Sequence, residues 1–240
     1  MNIAVIFAGG TGQRMNTKTK PKQFLELHQK PIIIYTLEQF EENDEIDAIV
    51  ISCLSSWLDY CVDLVHKFEI KKVKAIVPGG DTGQQSICNG LLKAKEIADN
   101  NAIVLVHDAV RPLIDQETIS KAIQCVKDHG SAITVAPATE TIAIMSDKNN
   151  EVGEIVDRSK CQLAKAPQCF YLEELVEAHK KAIIDNKYDF IDSACLMRYY
   201  GHSLHVVEGK SENIKITTPS DFYIFRAIID ARENSQIFGI

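Results

Sequence analysis

An apolar run from Ile3 to Phe7 empties into Ala8-Gly9-Gly10-Thr11-Gly12-Gln13-Arg14-Met15, and Lys18, Lys20 and Lys22 follow before Gln23-Phe24. A buried strand that ends in a glycine-rich turn gathers several backbone N–H groups at one point, where they suit the oxygens of a phosphate chain. The cationic side chains add full positive charge on flexible tethers. Arg14, Lys18, Lys20 and Lys22 fall within nine positions of a chain whose net charge is -7. A local cationic patch on an acidic protein points to a small anionic ligand, whereas a nucleic-acid backbone calls for a broad basic face. Two common phosphate motifs do not fit. Gln13-Arg14 directly follows Gly12, where a Walker A loop requires Lys-Ser or Lys-Thr, and Met15 stands where a dinucleotide fingerprint has its third glycine. Taken alone, Gly9-Gly10-Thr11-Gly12 reads equally well as a tight strand-to-loop turn beside a solvated charge run.

A second cluster, Val106-His107-Asp108-Ala109-Val110-Arg111-Pro112, follows another apolar run. An Asp at the carboxyl end of a strand can hold a metal ion or an alcohol, and an Arg three residues on can hold a phosphate. The same Asp could instead cap a helix. Pro78-Gly79-Gly80-Asp81, with Ser86 beyond it, forms a third junction. Its glycines let a planar base lie against backbone, and Ser86 could read the base edge; the ordinary alternative is a loop in which Asp81 caps the next helix. Near the C-terminus, residues 211 to 218 alternate like a short strand, with Lys215 turned either into a site or to solvent.

The elements that must position these residues follow a regular rhythm. Apolar runs at 2–8, 47–53, 72–77, 102–107 and 132–136 read as buried strands, and 31–42, 84–98 and 116–129 carry helical periodicity. Such alternation predicts a mainly parallel sheet with helices on both faces, whose ligands bind beyond the carboxyl ends of the strands. The rhythm breaks at about 138–160, where two alternating segments flank the turn-rich Ser146-Asp147-Lys148-Asn149-Asn150 and predict a β-hairpin. A lone hairpin buries too little to stand by itself, so it either packs on its own sheet or exchanges with a second copy of the chain. Residues 219 to 233 predict a closing helix begun by Pro219-Ser220-Asp221.

At 240 residues and 45% hydrophobic content, the chain fits an ordinary globular protein and is expected to form a single domain. No apolar run approaches the roughly 20 residues of a membrane span, and the first residues run straight into the glycine turn without a signal peptide. A cytoplasmic protein with no membrane and no nucleic-acid partner is expected. The seven cysteines are odd in number and scattered without a CxxC pair, which predicts reduced thiols in place of a disulfide framework or a zinc site.

Taken together, FAGGTGQRM, PKQF, GGDTGQQS, VHDAVRP, VDR, APQCF, IDSA and NIKITTP, in this order from about residue 2 to 230, resemble the cytidylyltransferases that activate sugar-alcohol phosphates. The resemblance implies a Rossmann-like nucleotide-binding α/β domain with a projecting β-arm that makes a homodimer. It also implies transfer of CMP from CTP to a polyol phosphate, with Mg²⁺ as cofactor and pyrophosphate as the leaving group. Carried over residue by residue, Arg14 and Lys22 hold the triphosphate and Lys215 the α-phosphate. Ala8, Gly9, Gly10, Gly12, Gly80, Asp81 and Ser86 surround the nucleotide, and Asp108, Arg111, Thr141 and Arg158 shape the acceptor side, with Arg158 reaching from the partner's arm. Asp108 is the implied metal ligand. Three positions depart from the family pattern: Gly83 where an Arg is usual, Ala166 in place of the Thr of Thr-Pro-Gln, and Ile191 in place of the Thr of Thr-Asp. The two lost hydroxyls lie on the acceptor side and favour ribitol 5-phosphate over methylerythritol phosphate. A nicotinamide-dependent oxidoreductase is disfavoured by the missing third glycine, and a catalytically inactive nucleotide-binding regulator by Arg14, Lys22, Asp108 and Lys215 occurring together.

Overall fold

The first strand already dictates a layered fold. In β1 (Asn2–Ala8), Ile3 and Val5 point to one face and Ala4 and Ile6 to the other, and all four are fully buried, so both faces need a cover. The computed structural model describes residues 1–10, 20–99, 101–147 and 150–238, with the side chains of the last helix as far as 234. After β1 come the short hairpin β2 (Glu26–Leu27) and β3 (Lys30–Pro31), α1 (Ile32–Glu41), β4 (Ala48–Cys53), α2 (Leu58–Lys67) and β5 (Val73–Pro78). The chain continues through α3 (Gly83–Ile97), β6 (Ile103–Asp108), α4 (Gln116–His129), β7 (Ser131–Pro137), β8 (Ala143–Met145) and β9 (Val152–Ile155). It finishes with β10 (Gln162–Tyr171), α5 (Leu172–Ile184), α6 (Ser193–Tyr199), β11 (Val206–Glu208) and α7 (Pro219–Phe238).

Seven strands form the main sheet in the order β11-β7-β10-β6-β1-β4-β5. Neighbours run parallel except at β10, which is antiparallel to both β6 and β7. Leu37 of α1, Leu64 of α2 and Ile123 of α4 pack on the face that carries Ala4 and Ile6. Leu91 of α3, Leu175 of α5 and Leu196 of α6 pack on the face of Ile3 and Val5. A third cluster joins Phe225 of α7 to Ile32, Leu113 and Ile216. No helix among the described residues is long and apolar enough to cross a membrane. The seven cysteines are unbridged.

The five expected strands and three central helices lie within about a residue of their expected bounds. Two expectations are corrected. Residues 211–218 pair with no strand; the segment is held by single contacts, such as Ile216 N–H donating to the Val110 carbonyl at 2.9 Å. The cap of α3 is Thr82, whose hydroxyl accepts from the Gln85 N–H, and not Asp81. A Thr at that position satisfies the same orphan donor, and the residue adjoining the first helical turn takes the role.

The break after β7 is a hairpin. Among the described residues β8 and β9 pair only with each other, in a two-stranded sheet separate from the main one. Ile144, Met145, Val152 and Ile155 are each half exposed or more.

Parallel register sets the position of the site. Phe7 lies beside Asp108, Ala8 beside Cys53, and Cys53 beside Pro78, so the turn after β1, the loop after β5 and the end of β6 meet along one edge.

Candidate active site

At this edge the two glycine junctions approach each other so closely that neither Gly9 nor Gly79 has room for a side chain. A Cβ on Gly9 would fall 2.7 Å from Ser86 Oγ, and one on Gly79 would fall 3.0 Å from the same atom. The buried Ser86 hydroxyl is already occupied. It accepts from the Gly80 N–H at 3.1 Å and lies 2.9 Å from the Thr82 carbonyl, so it ties the loop together from inside. The structure thus gives Ser86 a part in shaping the loop, alongside the base-edge role expected from the sequence. Asp81 is exposed, and its N–H is held by Gln85 Oε1 at 2.9 Å. Lys22, in a short 3₁₀ turn, passes close to Gly10, and Gln23 anchors that turn by donating from Nε2 to the Ala8 carbonyl at 2.6 Å. Arg14 and Gly12 lie outside the described residues.

The charged centre is Asp108, buried at the end of β6. Arg111 Nε donates to its Oδ2 at 2.8 Å, and Lys215 Nζ stands 2.5 Å from Oδ1. Burial pushes this carboxyl up, but Lys215 and Arg111 together outweigh it and hold it down to about 2. Asp108 therefore stays ionised and fixes both cations in place. The guanidinium is anchored a second time, with Nη1 donating to the Asn213 carbonyl at 3.0 Å. Lys215 also lies 5.5 Å from the Phe7 ring centroid, toward the nucleotide side of the sheet. Although 211–218 is no strand, its alternation still sorts the residues: Ile214 and Ile216 face the α7 cluster, and Lys215 faces Asp108. His107, one residue earlier, is buried and pushed down to about 4 by that burial; its Nε2 meets the Arg111 carbonyl at 3.1 Å.

Asp108, Arg111 and Lys215 line a cavity of about 200 Å³, whose far wall is Lys165, Ala166, Gln168, Ile191 and Asp192. Gln168 holds that wall together. Its Nε2 donates to Asp192 Oδ2 at 2.9 Å, and its Oε1 accepts from the Ala194 N–H at 2.8 Å. Asp192 also caps α6 through the Cys195 N–H at 2.8 Å. The two departures Ala166 and Ile191 meet on this wall, Ala166 buried and Ile191 91% exposed at the mouth. Gly83 starts α3, and a Cβ there would meet nothing within 4 Å, so space does not dictate the glycine. Thr141 and Arg158 sit at the arm; among the described residues they do not line this cavity, and Arg158 Nη1 donates to the Thr139 carbonyl at 2.7 Å. Sequence reasoning missed Lys165, Gln168, Asp192 and Asn213 as parts of the site, although the motifs APQCF, IDSA and NIKITTP border or contain each of them.

Glycine junctions at the carboxyl edge of a mainly parallel sheet, facing a buried acid that orders two cations, have the form of a nucleotide-binding α/β fold. The profile of the 2-C-methyl-D-erythritol 4-phosphate cytidylyltransferase (IspD) family matches residues 2–231, and the chain belongs to that family of CTP-dependent nucleotidyltransferases. It is 56% identical to the ribitol-5-phosphate cytidylyltransferase of Vibrio parahaemolyticus over 239 residues, which covers 100% of both chains. It is 35% identical to the 2-C-methyl-D-erythritol 4-phosphate cytidylyltransferase of Clostridium botulinum, covering 95% of this chain and 97% of that one. The crystal structure of 4-diphosphocytidyl-2C-methyl-D-erythritol synthase from Anaerococcus prevotii superposes with a TM-score of 0.81 at 25% identity, covering 95% of this chain and 96% of that one.

Proposed function

We propose that the chain transfers the CMP group of CTP to the phosphate of ribitol 5-phosphate, giving CDP-ribitol and pyrophosphate. The observation that carries the choice of acceptor is the 56% identity along the whole length to a ribitol-5-phosphate cytidylyltransferase, against 35% to a methylerythritol-phosphate one. The wall built from Ala166 and Ile191 agrees with it, since both lack the hydroxyl that the family pattern places there. In the reaction an oxygen of the acceptor phosphate forms a bond to the α-phosphorus as the bond from that phosphorus to the β-phosphate bridging oxygen breaks. The electron pair leaves with pyrophosphate. A phosphate monoester dianion needs no proton removed, so the work of the site is alignment and neutralisation of charge.

Each part of that work falls to a different group. Backbone at Gly9, Gly10 and Gly80 accommodates the nucleotide, Arg14 and Lys22 take the triphosphate, and Lys215 takes the α-phosphate, positioned by Asp108. Asp108 fits a hard cation, being an oxygen donor that stays ionised at neutral pH. Asp108 would hold Mg²⁺, which when bound would supply further neutralisation of phosphate charge. Pyrophosphate release from CTP with a panel of polyol phosphates tests the reading. Ribitol 5-phosphate should exceed methylerythritol phosphate in kcat/KM by about tenfold or more, and CTP should exceed ATP, GTP and UTP. A preference for methylerythritol phosphate would reverse the acceptor assignment, and equal use of four nucleotides would remove the cytosine assignment.

The same reading makes the protein a homodimer through its arm. Support comes from the half-exposed Ile144, Met145, Val152 and Ile155, an apolar surface that a two-stranded sheet cannot cover by itself. Arg158 at the arm base would then enter the neighbouring site. Ile155→Asp is expected to convert dimer to monomer in light scattering and to reduce turnover. A fully active monomer would leave the arm as a local hairpin.

A further inference from the structure

Three cations line the cavity at Asp108, and they are not equivalent. Arg111 and Lys215 share the Asp108 carboxylate. Lys165 has only neutral partners: its Nζ donates to the carbonyls of Ser211 and Asn213, each at 3.2 Å, and no carboxylate among the described residues lies within ion-pair distance. Burial and the nearby Arg111 both push its pKa down, the sign of a cation lacking compensating negative charge.

The backbone explains how a lysine comes to be held there. Between the pairs Ala164↔Val135 and Gln168↔Ile133, β10 carries three residues, Lys165, Ala166 and Pro167, where β7 carries Thr134 alone. The irregularity breaks the alternation of the strand, and Thr134 Oγ1 fixes it by donating to the Pro167 carbonyl at 2.7 Å. Asn213 ties it to the next segment, donating from Nδ2 to the Ala166 carbonyl at 2.7 Å. Lys165 is thereby presented at the cavity with its ammonium steadied by two carbonyl oxygens.

Its place in the sheet says which phosphate it serves. The nucleotide junctions close the ends of β1 and β5, and β10 lies on the other side of β6 from β1. Lys165 shares its wall with Ala166 and Ile191, on the acceptor half, while Lys215 lies toward Phe7 and the nucleotide half. We propose that Lys165 is a specificity-determining residue that binds the phosphate of the acceptor alditol phosphate through its otherwise uncompensated ammonium. The assignment rests on the cytidylyltransferase reading above. It gives the acceptor dianion a cation within its own protomer, in addition to the Arg158 expected from the partner.

Steady-state kinetics of Lys165→Met and Lys165→Gln, with ribitol 5-phosphate and CTP varied separately, tests this. Both variants remove the charge while keeping a linear stem one atom shorter than that of lysine, and Gln keeps an N–H donor. The expected result is a rise of about tenfold or more in the KM for ribitol 5-phosphate with the KM for CTP within about twofold, and a matching loss of competitive inhibition by inorganic phosphate against the acceptor. Lys165→Arg should recover part of the affinity. An unchanged acceptor KM in either folded variant, or equal rises for both substrates, would overturn the role of Lys165. A wild-type protein that turns over no polyol phosphate with CTP would instead overturn the activity on which it rests, so the two failures are distinct.

Discussion

Lys215→Ala is expected to lower kcat by about a hundredfold or more, equivalent to roughly 3 kcal/mol of transition-state stabilisation. Charge moves onto the bridging oxygen as pyrophosphate departs, and Lys215 is the cation that Asp108 aims toward the nucleotide side from a distance of 2.5 Å. The loss should fall on kcat more than on either KM, because the interaction strengthens as the reaction proceeds. The fold should survive, since Asp108 keeps its 2.8 Å bond from Arg111. Circular dichroism and a thermal melt establish that the variant is folded before its rate is read. Near wild-type kcat in a folded variant would reduce Lys215 to a counter-ion for Asp108.

The second large effect is on stability in mild acid. His107 and His179 are both buried, and burial lowers each to about 4 from an ordinary value of 6.5. A group whose folded pKa lies below its unfolded one contributes stability above the unfolded pKa and loses it as pH falls toward the folded one. The window is therefore pH 6.5 to 4, and each histidine accounts for about 2–3 kcal/mol across it. Asp108, held down to about 2, has the same sign but acts below its unfolded value, so its share disappears only under stronger acid. Urea midpoints measured between pH 7 and pH 4.5 should fall steeply, and His179→Gln should flatten part of the slope. His179 is chosen because it lies on α5, away from the charged centre. A midpoint independent of pH over this range would mean that neither ring is kept neutral by the fold.

What was legible in the chain follows from which patterns are local. Runs such as Ile3 to Ile6 and Ile103 to Val106 are buried on both faces, and that continuous apolarity marks strands whatever surrounds them. The 211–218 segment shows pattern and structure parting. Its alternation correctly sends Lys215 one way and Ile214 and Ile216 the other, but a neighbouring strand is needed to make a ladder, and no local signal reports whether one is present. The cap of α3 falls on Thr82, one residue beyond the expected Asp81, a difference that local pattern does not resolve. The loop-shaping part of Ser86 is not legible in the chain, because the close approach to Gly9 that it fills involves the end of another strand. Lys165 was invisible for a similar reason: within Leu163-Ala164-Lys165-Ala166-Pro167 nothing announces a bulge, and the carbonyls that hold the ammonium lie more than forty residues later.

The arm has a further consequence for how such a chain can vary. It leaves at Pro137 and returns at Gln162, which are partners in the β7–β10 ladder, and the Ala138 N–H donates to the Cys161 carbonyl at 3.3 Å. The two ends of the excursion are thus already joined by the main sheet, and the entropy of closing the loop depends only logarithmically on its length, about 0.6 kcal/mol for each doubling. Residues 139–160 can be lengthened, shortened or recast with little thermodynamic effect on the sheet that carries Asp108. The subunit pairing proposed for the arm would in this sense be grafted onto the scaffold at a point where the scaffold is indifferent to it, and the arm could change without renegotiating the core.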